Sequence, residues 1–143
     1  MNDTTKLYKK IYKISQMGMG ATATILTFYE GDALSRELAA QNNEYRRILA
    51  DARKQISNQC CYCKAGLSPI EKMTSYCMVK INLMMNKCDS RISEMIINGC
   101  TMGIINAIKA KKCYSSADDG AKTLLQKLID YQTGTIERMK NFL

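Results

Sequence analysis

The sequence predicts an all-α protein, an up-and-down bundle of four to five antiparallel helices forming one domain over residues 1–143. Three observations carry this. Apolar residues recur at helical spacing through most of the chain. The connections between periodic stretches are short and marked by capping residues. The apolar set is helix-like, with ten Met, only two Phe and no Trp among 143 residues.

The first helix is expected from about Thr4 to Tyr29, because Leu7, Ile11, Ile14, Gly18, Ala21, Ile25 and Phe28 step by four and three along one stripe. Gly18 and Gly20 cost helix propensity, roughly 1 kcal/mol each against Ala, which close packing of a second helix would offset. Glu30-Gly31-Asp32 reads as a C-terminal glycine followed by an N-cap. The second helix then runs to about Ser57, with Leu34, Leu38, Tyr45, Ile48, Leu49, Ala52 and Ile56 inward and a charged outer face. Ser68-Pro69-Ile70-Glu71 is a capping box with proline at the first helical position, and it starts a third helix.

Residues 69–112 read as helical almost throughout. One continuous rod of that length would reach about 66 Å, and half of it would have nothing to pack on. A break is therefore expected in Asn86-Lys87-Cys88-Asp89-Ser90, with Asp89 or Ser90 capping a fourth helix at about 91–112. A last helix is expected at about 118–142, carrying Ala121, Leu124, Leu128, Tyr131, Met139 and Phe142 inward. The fourth helix, "MIINGCTMGIINAI", is apolar around most of its circumference and is expected to be central. Gly99 and Gly103 lie four apart on it and match Gly18 of the first helix, so these two helices are expected to cross closely.

Composition excludes several chemistries. There is no histidine, which removes the commonest metal ligand and general base. A ferritin-type di-iron site needs two Glu-x-x-His pairs, and none of the six glutamates can supply one. A Cys–His nucleophile fails for the same reason, and no Gly-rich phosphate loop follows a strand. The expectation is a non-catalytic protein. The longest uncharged stretches, Ile14–Tyr29 and Met95–Ile108, are too short to span a bilayer. Seven cysteines without a secretory signal lead to an expected reducing, cytoplasmic setting.

Two constellations remain as candidate sites. Cys60 and Cys63 have C-x-x-C spacing and Cys61 adds a third thiol, so with Cys113 they form a candidate Zn or Cu(I) site. The break near Lys87–Ser90 matters here, because it would bring Cys113 back to the end of the bundle where Cys60–Cys63 lie. The second candidate is the stripe Lys6, Lys9, Lys10 and Lys13, interleaved with Tyr8 and Tyr12, which could grip nucleic acid or an anionic membrane. The bland readings are tolerated thiols and a solvated face. Cys77 and Cys100 are expected as small core residues.

The segments "QMGMGA", "LSPIEKM", "RISEMIINGCTMGI" and "IERMKNFL" together resemble a family of small uncharacterised helical proteins from clostridia and related bacteria. The resemblance implies a ferritin-like bundle in a bacterial cytoplasm and brings no activity. It also implies a histidine near Arg91 and few cysteines around 60–63, from which this chain departs. The leading functional expectation is a scaffolding or partner-binding bundle that works through its helix faces and self-associates. Thiolate metal or redox chemistry is the alternative, and anion binding by the lysine stripe is the second.

Overall fold

The computed structural model describes residues 1–59 and 88–143. These form four α-helices and a terminal 3₁₀ turn, Lys140–Phe142, and no strand occurs among the described residues. The expected third helix at 69–88, its Ser68–Glu71 capping box, and Cys60, Cys61, Cys63 and Cys77 lie outside the described residues, apart from Cys88.

Helix α1 spans Asp3–Phe28. Asn2 caps it, its side-chain oxygen accepting the Thr5 N–H at 2.9 Å. The helix ends on an extended Tyr29, and the expected left-handed glycine stop is not used. Gly31 serves another purpose: a β-carbon there would run into the Tyr29 ring. Helix α2, Asp32–Gln59, follows directly. Ser35 closes its first turn, its N–H donating to the Gly31 carbonyl at 2.7 Å and its hydroxyl accepting the Gly31 N–H at 3.1 Å.

Helix α3 spans Asp89–Cys113. The expected break is present: Cys88 is extended, with φ −115° and ψ 164°. It is Cys88, however, and not Asp89 or Ser90, that occupies the cap position. It makes no side-chain cap bond, and Asp89 contributes instead as a carboxylate in the first turn, where the helix dipole favours it. Helix α4, Asp119–Met139, is capped by Asp118, whose side chain accepts the Ala121 N–H at 2.8 Å.

Long-range bonds fix the directions. Thr5 donates to Gln59 at 2.7 Å, and the Asp118 N–H donates to the Thr4 hydroxyl at 2.8 Å. The start of α1, the end of α2 and the α3–α4 connection therefore share one end. At the opposite end Ile25, Leu34, Ile92 and Met139 meet in one cluster. Helices α1 and α4 run one way, and α2 and α3 the other.

Among the described helices the most central is α1, not α3, the helix expected at 91–112. It packs along α2 and touches both α3 and α4, and it is buried on opposite sides, at Leu7 and Ile11 as well as at Gln16, Gly20 and Thr24. Nearly half of its buried residues are Thr, Ser or Gln, which masks its centrality in the sequence. Two of these hydroxyls turn back to their own helix, Thr22 donating to the Gly18 carbonyl at 2.9 Å and Thr24 to the Gly20 carbonyl at 2.7 Å, while those of Thr4 and Thr5 bond to neighbouring segments. By contrast α3 leaves Met102, Ile105 and Ile108 on its outer surface, 58%, 41% and 42% exposed. No described helix is long and apolar enough to cross a membrane.

Candidate functional site

The core holds a polar cluster in which Tyr45 and Cys100 are buried as the sequence predicts, while Gln132 and the bonding among the three were missed. Tyr45 of α2 is buried at the middle, with its hydroxyl 3.7 Å from Cys100 Sγ of α3. Gln132 of α4 donates from Nε2 to the same hydroxyl at 3.4 Å, which leaves the phenol hydrogen free for the sulfur. Burial pushes the Tyr45 phenol well above its ordinary pKa, and burial likewise raises the Cys100 thiol. Both groups are held neutral, so Cys100 is a packing residue and not a nucleophile. Their signal in the sequence is the pair of glycines that make room for them.

Those glycines do not match each other. A β-carbon at Gly18 would enter the Tyr45 ring, and one at Gly103 would enter the Gln132 amide. Gly18 thus serves the α1–α2 contact and Gly103 the α3–α4 contact. Gly99 is exposed and meets nothing within 4 Å among the described residues. The expected close crossing of α1 and α3 through Gly18, Gly99 and Gly103 is corrected accordingly. Helical spacing identified a shared face for Gly99 and Gly103, but spacing carries no information on which neighbour that face meets.

Of the candidate thiolate ligands, Cys113 is exposed at the C-terminus of α3. It shares an end with Gln59, the residue before Cys60. Cys60, Cys61 and Cys63 themselves lie outside the described residues. Among the described residues no three Cys, Asp or Glu side chains stand close enough to hold a metal. Cys88 is exposed at the opposite end.

The four lysines of the N-terminal stripe sit on the first turns of α1. Lys6 and Lys13 are exposed, and Lys9 and Lys10 are half-buried. Tyr8 and Tyr12 are buried in the core, so they do not share a surface with these lysines as the interleaving suggests. Lys6 instead lies over Tyr114, with Nζ 5.9 Å from the ring centre.

One open cleft of about 380 Å³ lies between α2 and α4, lined by Glu37, Glu44, Arg47, Tyr131 and Arg138. Its charges satisfy one another. Arg138 Nε donates to Glu37 at 2.8 Å, its guanidinium stacks 5.3 Å over Tyr131, and Arg47 and Lys127 approach Glu44 at 3.4 and 3.9 Å. Among the described residues, each charged side chain lining the cleft has a partner of opposite sign.

No family model, no curated protein and no solved structure matches this chain.

Proposed function

We propose that the protein acts by self-association through the outer face of α3, as a non-catalytic scaffolding element. The observation that carries this reading is the row Met102, Ile105 and Ile108, exposed within seven residues of one helix. Gly99, with open space about it, borders that row, and a second helix can approach closely over a glycine. Met adds adaptability to such a contact. The finer fold reading, an up-and-down bundle, fits the antiparallel helix directions, and the ferritin-like type rests on the resemblance alone.

Sedimentation velocity over a concentration series tests the function. Wild type is expected to shift towards a dimer as concentration rises, and Met102→Glu with Ile105→Glu to remain monomeric while melting normally. A wild type that stays monomeric throughout refutes the proposal.

A second reading is a thiolate metal site at the end shared by Gln59 and Cys113. That shared end supports it, since Cys60 directly follows Gln59. Elemental analysis after anaerobic purification is expected to find stoichiometric Zn or Cu, lost in Cys113→Ser. Metal-free protein with freely titrating thiols, and no stability change on adding Zn, eliminates it.

A further inference from the structure

The fold gathers cations that lie far apart in the sequence. At the end where α1 begins, α1 carries Lys6, Lys9, Lys10 and Lys13, and α2 brings Arg53 and Lys54. Helix α3 adds Lys109, Lys111 and Lys112, and α4 adds Lys122. All of these lie within ten residues of their helix ends, a band about 15 Å deep at 1.5 Å per residue. None of them is in an ion pair among the described residues. Lys127, further in, is paired with Glu44.

Four carboxylates, Asp3, Asp51, Asp118 and Asp119, share this end with ten cations, and two of the four are engaged with the backbone. Asp118 caps α4, and Asp3 accepts the Ser116 N–H at 3.3 Å. At the opposite end the balance is reversed: Arg91, Arg138 and Lys140 each hold a glutamate, at 3.6, 2.8 and 2.8 Å. Unpaired like charges repel, and those on the first turns of α1 also oppose its dipole. A stability role does not account for them.

We propose that this basic band is a docking surface for the phosphate backbone of duplex nucleic acid. The surface is independent of the α3 apolar row and of the self-association read from it. A planar anionic membrane fits less well. Met end-on, it would face Asp3, Asp118 and Asp119 at the tip. Met side-on, it would also press against the far end, where Glu30, Asp32, Glu37, Asp89, Glu94 and Glu137 outnumber the cations. A duplex crossing the long body covers only part of the length of α2, about 42 Å at 1.5 Å per residue, and so can meet the band while leaving the acidic far end uncovered. Single strands are bound largely by stacking on exposed aromatics. Among the described residues this end offers none, since Tyr8 and Tyr12 are buried and Tyr114 lies under Lys6. The contacts go to phosphates and carry no sequence preference.

Fluorescence anisotropy with a labelled mixed-sequence duplex, titrated across about 50–200 mM salt, tests this. Wild type is expected to bind with a steep salt dependence, the log–log slope being about −0.9 per phosphate neutralised. Lys6→Gln, Lys10→Gln and Lys13→Gln together should weaken binding by more than about tenfold and flatten that slope by about 3 units. The same three positions changed to Arg should retain affinity. Arg36→Gln with Lys140→Gln, at the opposite end, should leave it within about twofold. Absence of binding at low salt, or equal binding by the Gln variant, overturns the proposal. So does tighter binding to phosphatidylserine-containing vesicles than to the duplex, which would assign the band to a membrane.

Discussion

Among the described residues, cations from four helices stand without carboxylate partners at the end where α1 begins, above the larger of the two described hydrophobic clusters, built around Leu7, Ile11, Ile48, Leu125 and Leu128. At the other end a smaller cluster, around Ile25, Leu34, Leu38, Ile96 and Met139, lies beneath surface ion pairs. One of those pairs, Arg138–Glu37, ties α4 to α2, two helices that otherwise meet only sparsely. The contrast shows where surface charge is free to serve a ligand. Where burial and backbone caps hold the helices together, side-chain charges are not needed for cohesion. At the other end one pair, Arg138–Glu37, bridges helices, while Arg91–Glu94 and Lys140–Glu137 join residues three apart.

The largest expected effects probe whether the two clusters are one cooperative unit. Leu7→Ala and Leu38→Ala should each cost about 2–5 kcal/mol, read from urea unfolding. If Leu38→Ala leaves amide protection in the first half of α1 intact while the far end exchanges freely, the ends are separately stable. A uniform loss of protection joins them.

Next come the glycines of the middle. Gly18→Leu should cost about 1–3 kcal/mol or more by forcing Tyr45 aside. Gly103→Leu should cost less, because the obstacle is the flexible tip of Gln132. Gly99→Leu should stay within about 0.5 kcal/mol in thermal melts. Large destabilisation at Gly99 would restore a helix crossing there.

Alkaline pH acts on the same middle region. Cys100 and Tyr45 both have raised pKa values in the fold, so above their unfolded values the unfolded chain releases protons that the native state retains. Stability should be level below about pH 8.5, then fall as pH rises past the unfolded thiol and, near pH 10, the unfolded phenol. The limiting loss is about 1.4 kcal/mol per pH unit for each group. Tyr45→Phe with Cys100→Ala should flatten the profile. An unchanged slope would shift the cause to Tyr8 and Tyr131, whose phenols burial also raises.

The smallest effects separate the two ends by salt. Arg138→Met should cost about 0.2–1 kcal/mol, and less in high salt. Lys6→Gln with Lys13→Gln should be neutral or slightly stabilising at low salt, as repulsion is relieved. A measurable loss of melting temperature in that variant would show hidden pairing at the basic end.

Much of the local structure was legible. Helices α1, α2 and α4 begin within one residue of their expected starts, with Asp32 as the first residue of α2 and not its cap, and the chain breaks at Cys88 because a polar run interrupts helical periodicity. Periodicity identifies faces, not partners, which is why Gly18 met α2 and Gly99 met solvent. Average apolarity misled as well. Helix α3 looks buried but leaves Met102 outside, whereas in α1 the Thr22 and Thr24 hydroxyls bond to its own carbonyls and so permit burial. Of the basic band, only the α1 lysines were visible. Arg53, Lys54 and Lys109–Lys112 join them through helix directions that no local pattern encodes.

Those directions have an electrical consequence. Among the described helices two point each way, so their macrodipoles largely cancel, and the charge asymmetry of this part of the molecule is left to its side chains. These place excess positive charge at one end and excess carboxylate at the other. In an external field, or beside any charged object, the protein turns before it touches. The approach is therefore oriented: an anionic target meets the end bearing Lys6 and Lys112 first, at a range set by ionic strength rather than by contact.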